Sequence, residues 1–143
     1  MTAPQHLHPA VAQSLEKWHA LVAAQDLGAL GAIVHPDAVF RSPVAHTPYH
    51  SAAALILALS TVIQVFEDFR YHREFASADG LSVTLEFSAQ VGGKSLKGVD
   101  LIRFDEDGKI VEFEVMIRPA SGLQALGVEM GKRVGGKLPA FKQ

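Results

Sequence analysis

Asp100 is the acid in the run Gly98-Val99-Asp100-Leu101-Ile102-Arg103-Phe104, whose alternation puts it on the face of Ile102 and Phe104. A carboxyl group on an apolar face has two ways to persist. It can keep its proton, with its pKa raised by up to about 3–5 units, and donate a hydrogen bond to a carbonyl or hydroxyl oxygen. Or it can ionise beside a cation or a histidine, as a base or a structural tie. Arg73 shares the phase of Phe69 and Tyr71, which directs it inward as a partner for Asp100.

A second set of reactive side chains crowds the stretch Phe40-Arg41-Ser42-Pro43-Val44-Ala45-His46-Thr47-Pro48-Tyr49-His50. Histidine titrates near neutral pH and suits a proton shuttle; the Tyr49 phenol can donate to a ligand or close a pocket mouth. His46 and His50 have the spacing that aligns two ligands on a helix, but Pro48 between them argues against one. No carboxylate motif accompanies them, so no metal site is expected. The chemistry open to these groups is proton transfer, which needs no cofactor. The other histidines read as bland: His6 and His8 in a frayed end, His35 in a turn, His72 on the outward side of a strand.

Two kinds of element must position these groups. Val11, Leu15, Trp18 and Val22 recur at helical spacing, with Pro9 suited to the first turn. Asp26 can cap a short second helix through Leu27, Leu30 and Ile33 or Val34, which the sequence His35-Pro36-Asp37 breaks. Ala38–Arg41 reads as a short strand. Ser51 can cap a third helix with Leu55, Leu59, Val62 and Phe66 on one face. Period-two alternation then takes over. Strands through Phe69–Phe75, Val83–Phe87, Val99–Phe104 and Phe113–Ile117 are separated by turns at Ala78–Gly80, Gly92-Gly93 and Asp105–Lys109. Pro119 stops the last strand, and Leu123, Leu126 and Met130 mark a short C-terminal helix before a loose tail.

Helices followed by an antiparallel meander make an α+β domain whose sheet must cover its apolar face with the upstream helices. If the sheet curves, a pocket remains. Its walls would be Trp18, Phe40, Leu59 and Phe66 from the first half, and Tyr71, Leu85, Phe87, Ile102, Phe104, Phe113 and Val115 from the second; the same residues could equally fill a core. The outward face would carry Arg70, His72, Glu74, Thr84, Glu86, Leu101, Arg103, Glu112, Glu114, Met116 and Arg118.

The 143 residues fit a single domain, with a core over about residues 9–120. A formal charge of −2 with no basic patch points away from nucleic acid. The apolar run Ala52–Val65 is too short for a membrane span. The start lacks the regions of a signal peptide, and the absence of cysteine removes disulfides and thiolate chemistry. A cytoplasmic protein is the expectation.

The stretches Asp26–Val44 and Gly98–Pro119 together resemble the SnoaL-like branch of the nuclear-transport-factor-2-like superfamily. The resemblance covers about Val11 to Pro119 and implies a cone: a strongly curved, mostly antiparallel sheet wrapped around N-terminal helices, enclosing an apolar pocket. It also implies a homodimer through the outer sheet face and a small apolar partner bearing a carbonyl or hydroxyl. Isomerisation, cyclisation and dehydration are the reactions it suggests, beside a non-catalytic binding domain.

Ketosteroid isomerases of this superfamily carry a catalytic acid where this chain has Ser42, and an oxyanion-binding tyrosine where it has Trp18; their second oxyanion donor corresponds to Asp100, which is retained. A serine without a partner does not deprotonate carbon near neutral pH, so the resemblance argues against that isomerisation by that base.

Overall fold

The computed structural model describes residues 6–138. Helix α1 (Pro9–Ala23) starts at the proline, which has no N–H to leave unpaired. Its buried stripe is Val11, Ser14, Leu15, Trp18 and Val22, the spacing read from sequence plus one serine. Ser14 is satisfied by donating to the Gly108 carbonyl, at 2.6 Å. Residues 7 and 8, just before α1, are tied down, which corrects the reading of His8 as part of a frayed end. The Ala10 N–H donates to His8 Nδ1, the His8 N–H donates to the Gly80 carbonyl, and Leu7 is buried.

Helix α1 ends with Gln25 in the left-handed region, φ 53°. The N–H groups of Gln25 and Asp26 return to the carbonyls of Val22 and Leu21, satisfying the last turn. Asp26 accepts from the Gly28 N–H, and the short second helix is a single 3-10 turn, Leu30–Ile33.

Strand β1 (Val34–Arg41) is longer than expected. The proposed break at His35–Asp37 lies inside it. Pro36 is tolerated there because β1 is an edge strand and its register slips between Val34 and Val39. Ser51 caps α2 (Ala52–Val65) by accepting from the Ala54 N–H at 3.1 Å. Leu55, Leu59 and Phe66 are buried as expected, joined by Ala58 and Ile63; Val62 is half-buried.

Strands β2 (Glu67–Ala76), β3 (Ser82–Val91), β4 (Lys94–Phe104) and β5 (Ile110–Arg118) form the meander, and β1 adds in parallel to β5. The sheet order is β1-β5-β4-β3-β2, so the fold is α+β with a five-stranded, mostly antiparallel sheet. The β3–β4 turn is the two-residue Gly92-Gly93, with φ 55° and 81°. Positive φ at both positions is what a tight, twist-compatible hairpin needs and glycine allows. Gly98 serves a different purpose: a Cβ there would lie 2.7 Å from the Phe87 ring and closer still to the Met116 carbonyl. The bare backbone lets Phe87 pack fully into the core.

Strand β2 departs from simple alternation. An extra residue between Tyr71 and Glu74 puts His72 and Arg73 together opposite Glu86. The bulge reverses the phase beyond it. Arg73 therefore points out of the cone, not in, and Glu74 points in, the reverse of the expectation for both. Arg73 holds Glu86 through two bonds of 2.8 and 2.6 Å, while Phe75 is exposed and lies against the Arg73 guanidinium.

The C-terminal helix is not short. Helix α3 (Ala120–Val134) runs 15 residues and buries Gly122, Leu126, Gly127, Met130 and Val134. Leu138, in the stretch expected to be loose, is also buried; the remainder of that tail lies outside the described residues. No helix among the described residues is long and apolar enough to cross a membrane.

Candidate functional site

Between the helices and the sheet lies a cavity of about 40 Å³. Apolar side chains line it almost throughout. Helices α1 and α2 contribute Trp18, Val22, Ala58, Leu59, Val62 and Ile63, and the sheet contributes Phe40, Phe69, Tyr71, Val115 and Ile117. Helix α3 closes one side with Leu126 and Met130, a contribution the sequence did not reveal. A space of this size exceeds what one water needs, roughly 10–15 Å³. It is far below the roughly 300–1,000 Å³ of small-molecule pockets.

One polar chain crosses this apolar wall. The Trp18 indole N–H donates to the Tyr71 hydroxyl at 3.0 Å, and that hydroxyl donates to Asp100 Oδ2 at 2.6 Å. Among the described residues, Asp100 is the only carboxylate lining the cavity. Its burial, opposed in part by the Tyr71 hydrogen bond, lifts its pKa to about 7. Burial also pushes the Tyr71 phenol well above its usual value, reinforced by the neighbouring Asp100. Asp100 thus takes its place with Ile102 and Phe104, as the alternation of β4 requires. Its partner is Tyr71, not Arg73.

The aromatic walls divide. Phe66, Phe69, Tyr71 and Phe87 form one cluster, with Phe69 stacked on Phe66 at 5.4 Å and on Phe87 at 5.2 Å, and Tyr71 edge-on to Phe69 at 4.9 Å. Trp18, Phe40, Phe66, Tyr71 and Val115 line the cavity; Phe87, Ile102 and Phe113 are buried in the surrounding core. Phe113 backs Trp18 at 5.2 Å.

The Phe40–His50 stretch contributes less to the cavity than its residue types suggest. Ser42 is buried, and its hydroxyl accepts from the Val44 N–H at 3.1 Å. Tyr49 pairs its backbone with Phe40 in both directions at 2.9 Å and stacks on that ring. His46 and His50 are exposed, and neither they, Tyr49 nor Ser42 lines the cavity. No group of three or more metal-ligating side chains occurs among the described residues.

A pair that sequence reading passed over lies on the other side of Tyr71. His19 Nε2 meets Glu74 Oε1 at 2.7 Å, and the imidazole stands edge-on to the Tyr71 ring at 5.2 Å. The inward turn of Glu74 depends on the β2 bulge, and simple alternation conceals it.

The profile of the SnoaL-like domain family matches residues 15–113. Among solved structures, one from Pseudomonas aeruginosa described as a steroid delta-isomerase is 58% identical, with 96% of this chain and 99% of that one covered and a TM-score of 0.90. An uncharacterised bacterial protein with a cystatin-like fold from Silicibacter pomeroyi is 33% identical, covering 96% and 94% of the two chains, TM-score 0.79. An NTF2-like protein of unknown function from Mesorhizobium loti, 20% identical over 81% of this chain and 97% of its own, shares the fold at a TM-score of 0.69. A search of curated proteins returned no match. With most of its length matched by the family profile, this chain belongs to the SnoaL-like domain family.

Proposed function

We propose that this protein binds a small apolar molecule bearing a carbonyl or hydroxyl inside the cone and acts on it as a cofactor-independent isomerase, cyclase or dehydratase. The observation that carries this reading is the Trp18–Tyr71–Asp100 chain ending in a buried carboxyl group that titrates at about 7. An acid poised there holds its proton half the time at neutral pH. As the acid it donates to a ligand oxygen; as the base it takes a proton back. The ligand's apolar body would lie against Trp18, Phe40, Phe66 and Val115.

The steroid delta-isomerase name of the 58% identical structure supports an isomerase. Ser42 cannot serve as the carboxylate base of ketosteroid isomerases, so any such reaction here rests on other groups. We further propose a cytoplasmic homodimer paired through the outer sheet face, where Met116 is half exposed beside Val99 and the charged pair Arg73 and Glu86.

The small cavity favours a second reading, a dimeric domain that binds without turning over. Titration with 2-naphthol, followed by its fluorescence, separates the cases when combined with two variants. Asp100→Leu removes both donor and proton and should weaken binding at least tenfold. Asp100→Asn keeps a donor, so under the enzyme reading it binds but loses proton exchange on a ketone. Equal binding by wild type and Asp100→Leu would defeat both readings of this carboxyl group.

A further inference from the structure

Glu74 is a carboxylate turned into the protein with half its hydrogen-bonding capacity unused. Its side chain is 4% exposed; Oε1 is held by His19, and Oε2 is buried with no hydrogen-bond partner among the described residues. A carboxylate oxygen accepts, so the His19 Nε2 bonded to it carries the hydrogen. In the neutral ring Nδ1 then keeps its lone pair, and no hydrogen bond engages it among the described residues. The imidazole remains 25% exposed, on the wall of a cleft of about 360 Å³. Val22, Ile63, Phe69 and Tyr71 line both this cleft and the 40 Å³ interior cavity. One layer of side chains therefore separates them, and the cleft alone reaches the lower end of the ligand-pocket range of roughly 300–1,000 Å³. His19 and Asp100 both touch Tyr71, one at its ring and the other at its hydroxyl.

We infer that His19, positioned by Glu74, is the proton-transferring base of this site, and that ligands of the ketone class reach Asp100 from the His19 cleft by displacing Phe69 from the shared wall. The inference rests on the ligand-binding reading given above. His19 Nδ1 takes a proton from the carbon beside the carbonyl. The C–H electron pair becomes the new C–C double bond as the carbonyl π pair moves to oxygen. Asp100 donates a hydrogen bond to that oxygen. The imidazolium then returns a proton to carbon, at the same or a conjugated position. A carboxylate behind the ring stabilises the imidazolium formed midway and holds the tautomer.

The test uses the full chain and two probes: 2-tetralone, whose exchange of protons beside the carbonyl in D2O is followed by proton NMR, and 2-naphthol, a planar mimic of its enol, for binding. Wild type is expected to accelerate the exchange. His19→Ala should slow it by about 10²-fold or more, the range of a lost general base. It should leave 2-naphthol affinity within about threefold, and added imidazole should restore part of the rate. Glu74→Gln, which keeps the volume, should lower kcat by about tenfold with little change in KM. Because His19 is partly exposed and Glu74→Gln is isosteric, loss of folding in one variant leaves the other decisive. If His19→Ala exchanges at the wild-type rate while Asp100→Asn does not, the proposal is overturned and the Asp100 site stands. Saturable 2-naphthol binding with no exchange in wild type also overturns it, leaving a binding domain. A wild type that neither binds 2-naphthol nor exchanges 2-tetralone removes the ligand reading and the proposal together.

Discussion

Asp100 and Glu86 occupy adjacent registers of neighbouring strands: Asp100 pairs with Leu85, and Glu86 with Val99. One faces the cone and the other the outer surface, and their acidities move in opposite directions. Asp100 is buried with one neutral donor and rises to about 7. Glu86 receives two hydrogen bonds from Arg73, with Lys97 at 3.2 Å, and falls to about 2. The first cause on each side differs: lost hydration for Asp100, the Arg73 hydrogen bonds for Glu86. A few ångströms of sheet thickness thus separate a group ready to exchange a proton at neutral pH from one fixed as an anion. Burial without a cation sets the first, and the Arg73 guanidinium sets the second.

The largest expected effect comes from removing the uncompensated charge. Asp100 has a folded pKa raised from 3.8 to about 7, so its protonated form stabilises the fold below about pH 4, and that contribution is lost as pH rises through 7. Three units correspond to about 4 kcal/mol at 1.36 per unit. Asp100→Asn should therefore gain up to about 4 kcal/mol on wild type between pH 4 and pH 8, read from paired denaturant melts. A pH-independent difference between the two proteins would show that Asp100 is not held neutral.

Next is Tyr71→Phe, which leaves the Trp18 N–H without its acceptor and Asp100 without its donor. It should cost about 1–3 kcal/mol. The Tyr71 hydrogen bond holds Asp100 down, so the Asp100 titration should also move above 7, visible in its carboxyl carbon shift. A downward movement would mean that solvent enters the cavity and outweighs the lost bond.

The outer carboxylate should respond with the opposite sign and more weakly. The folded pKa of Glu86 lies below its ordinary 4.5, at about 2. Its stabilisation is present above pH 4.5 and is lost as pH falls through 2. Glu86→Gln should melt below wild type at pH 7 and converge with it towards pH 2. The smallest change is Arg73→Met, which should return the Glu86 titration part of the way to 4.5, Lys97 still holding it down. No movement at all would assign the shift to Lys97.

Much of this contrast was legible beforehand, because it depends on local rules. The alternation of Val99–Phe104 put Asp100 inward without any knowledge of its neighbours. Ser51 announced α2 because a hydroxyl at that position satisfies an otherwise unpaired N–H. The faces of Arg73 and Glu74 escape such local rules. An extra residue in β2 has no signature in a polar run such as Arg70-Tyr71-His72-Arg73-Glu74, yet it exchanges the faces of Arg73 and Glu74. The reactive-looking loop drew attention through composition alone, whereas His19, on an ordinary amphipathic helix, drew none.

The sequence by itself determined the order of helices and strands, the glycine turns and the inward carboxyl group at Asp100. These follow from backbone preferences and periodicities that act over a few residues. The tertiary structure decided what each polar group meets. Tyr71 reaches Asp100 across 29 positions, Trp18 reaches Tyr71 across 53, and His19 reaches Glu74 across 55. It also decided that α3 closes the cavity with Leu126 and Met130. Such partners are chosen by sheet register, a bulge and helix docking, which arise from packing the whole chain and leave no trace in the residues on either side.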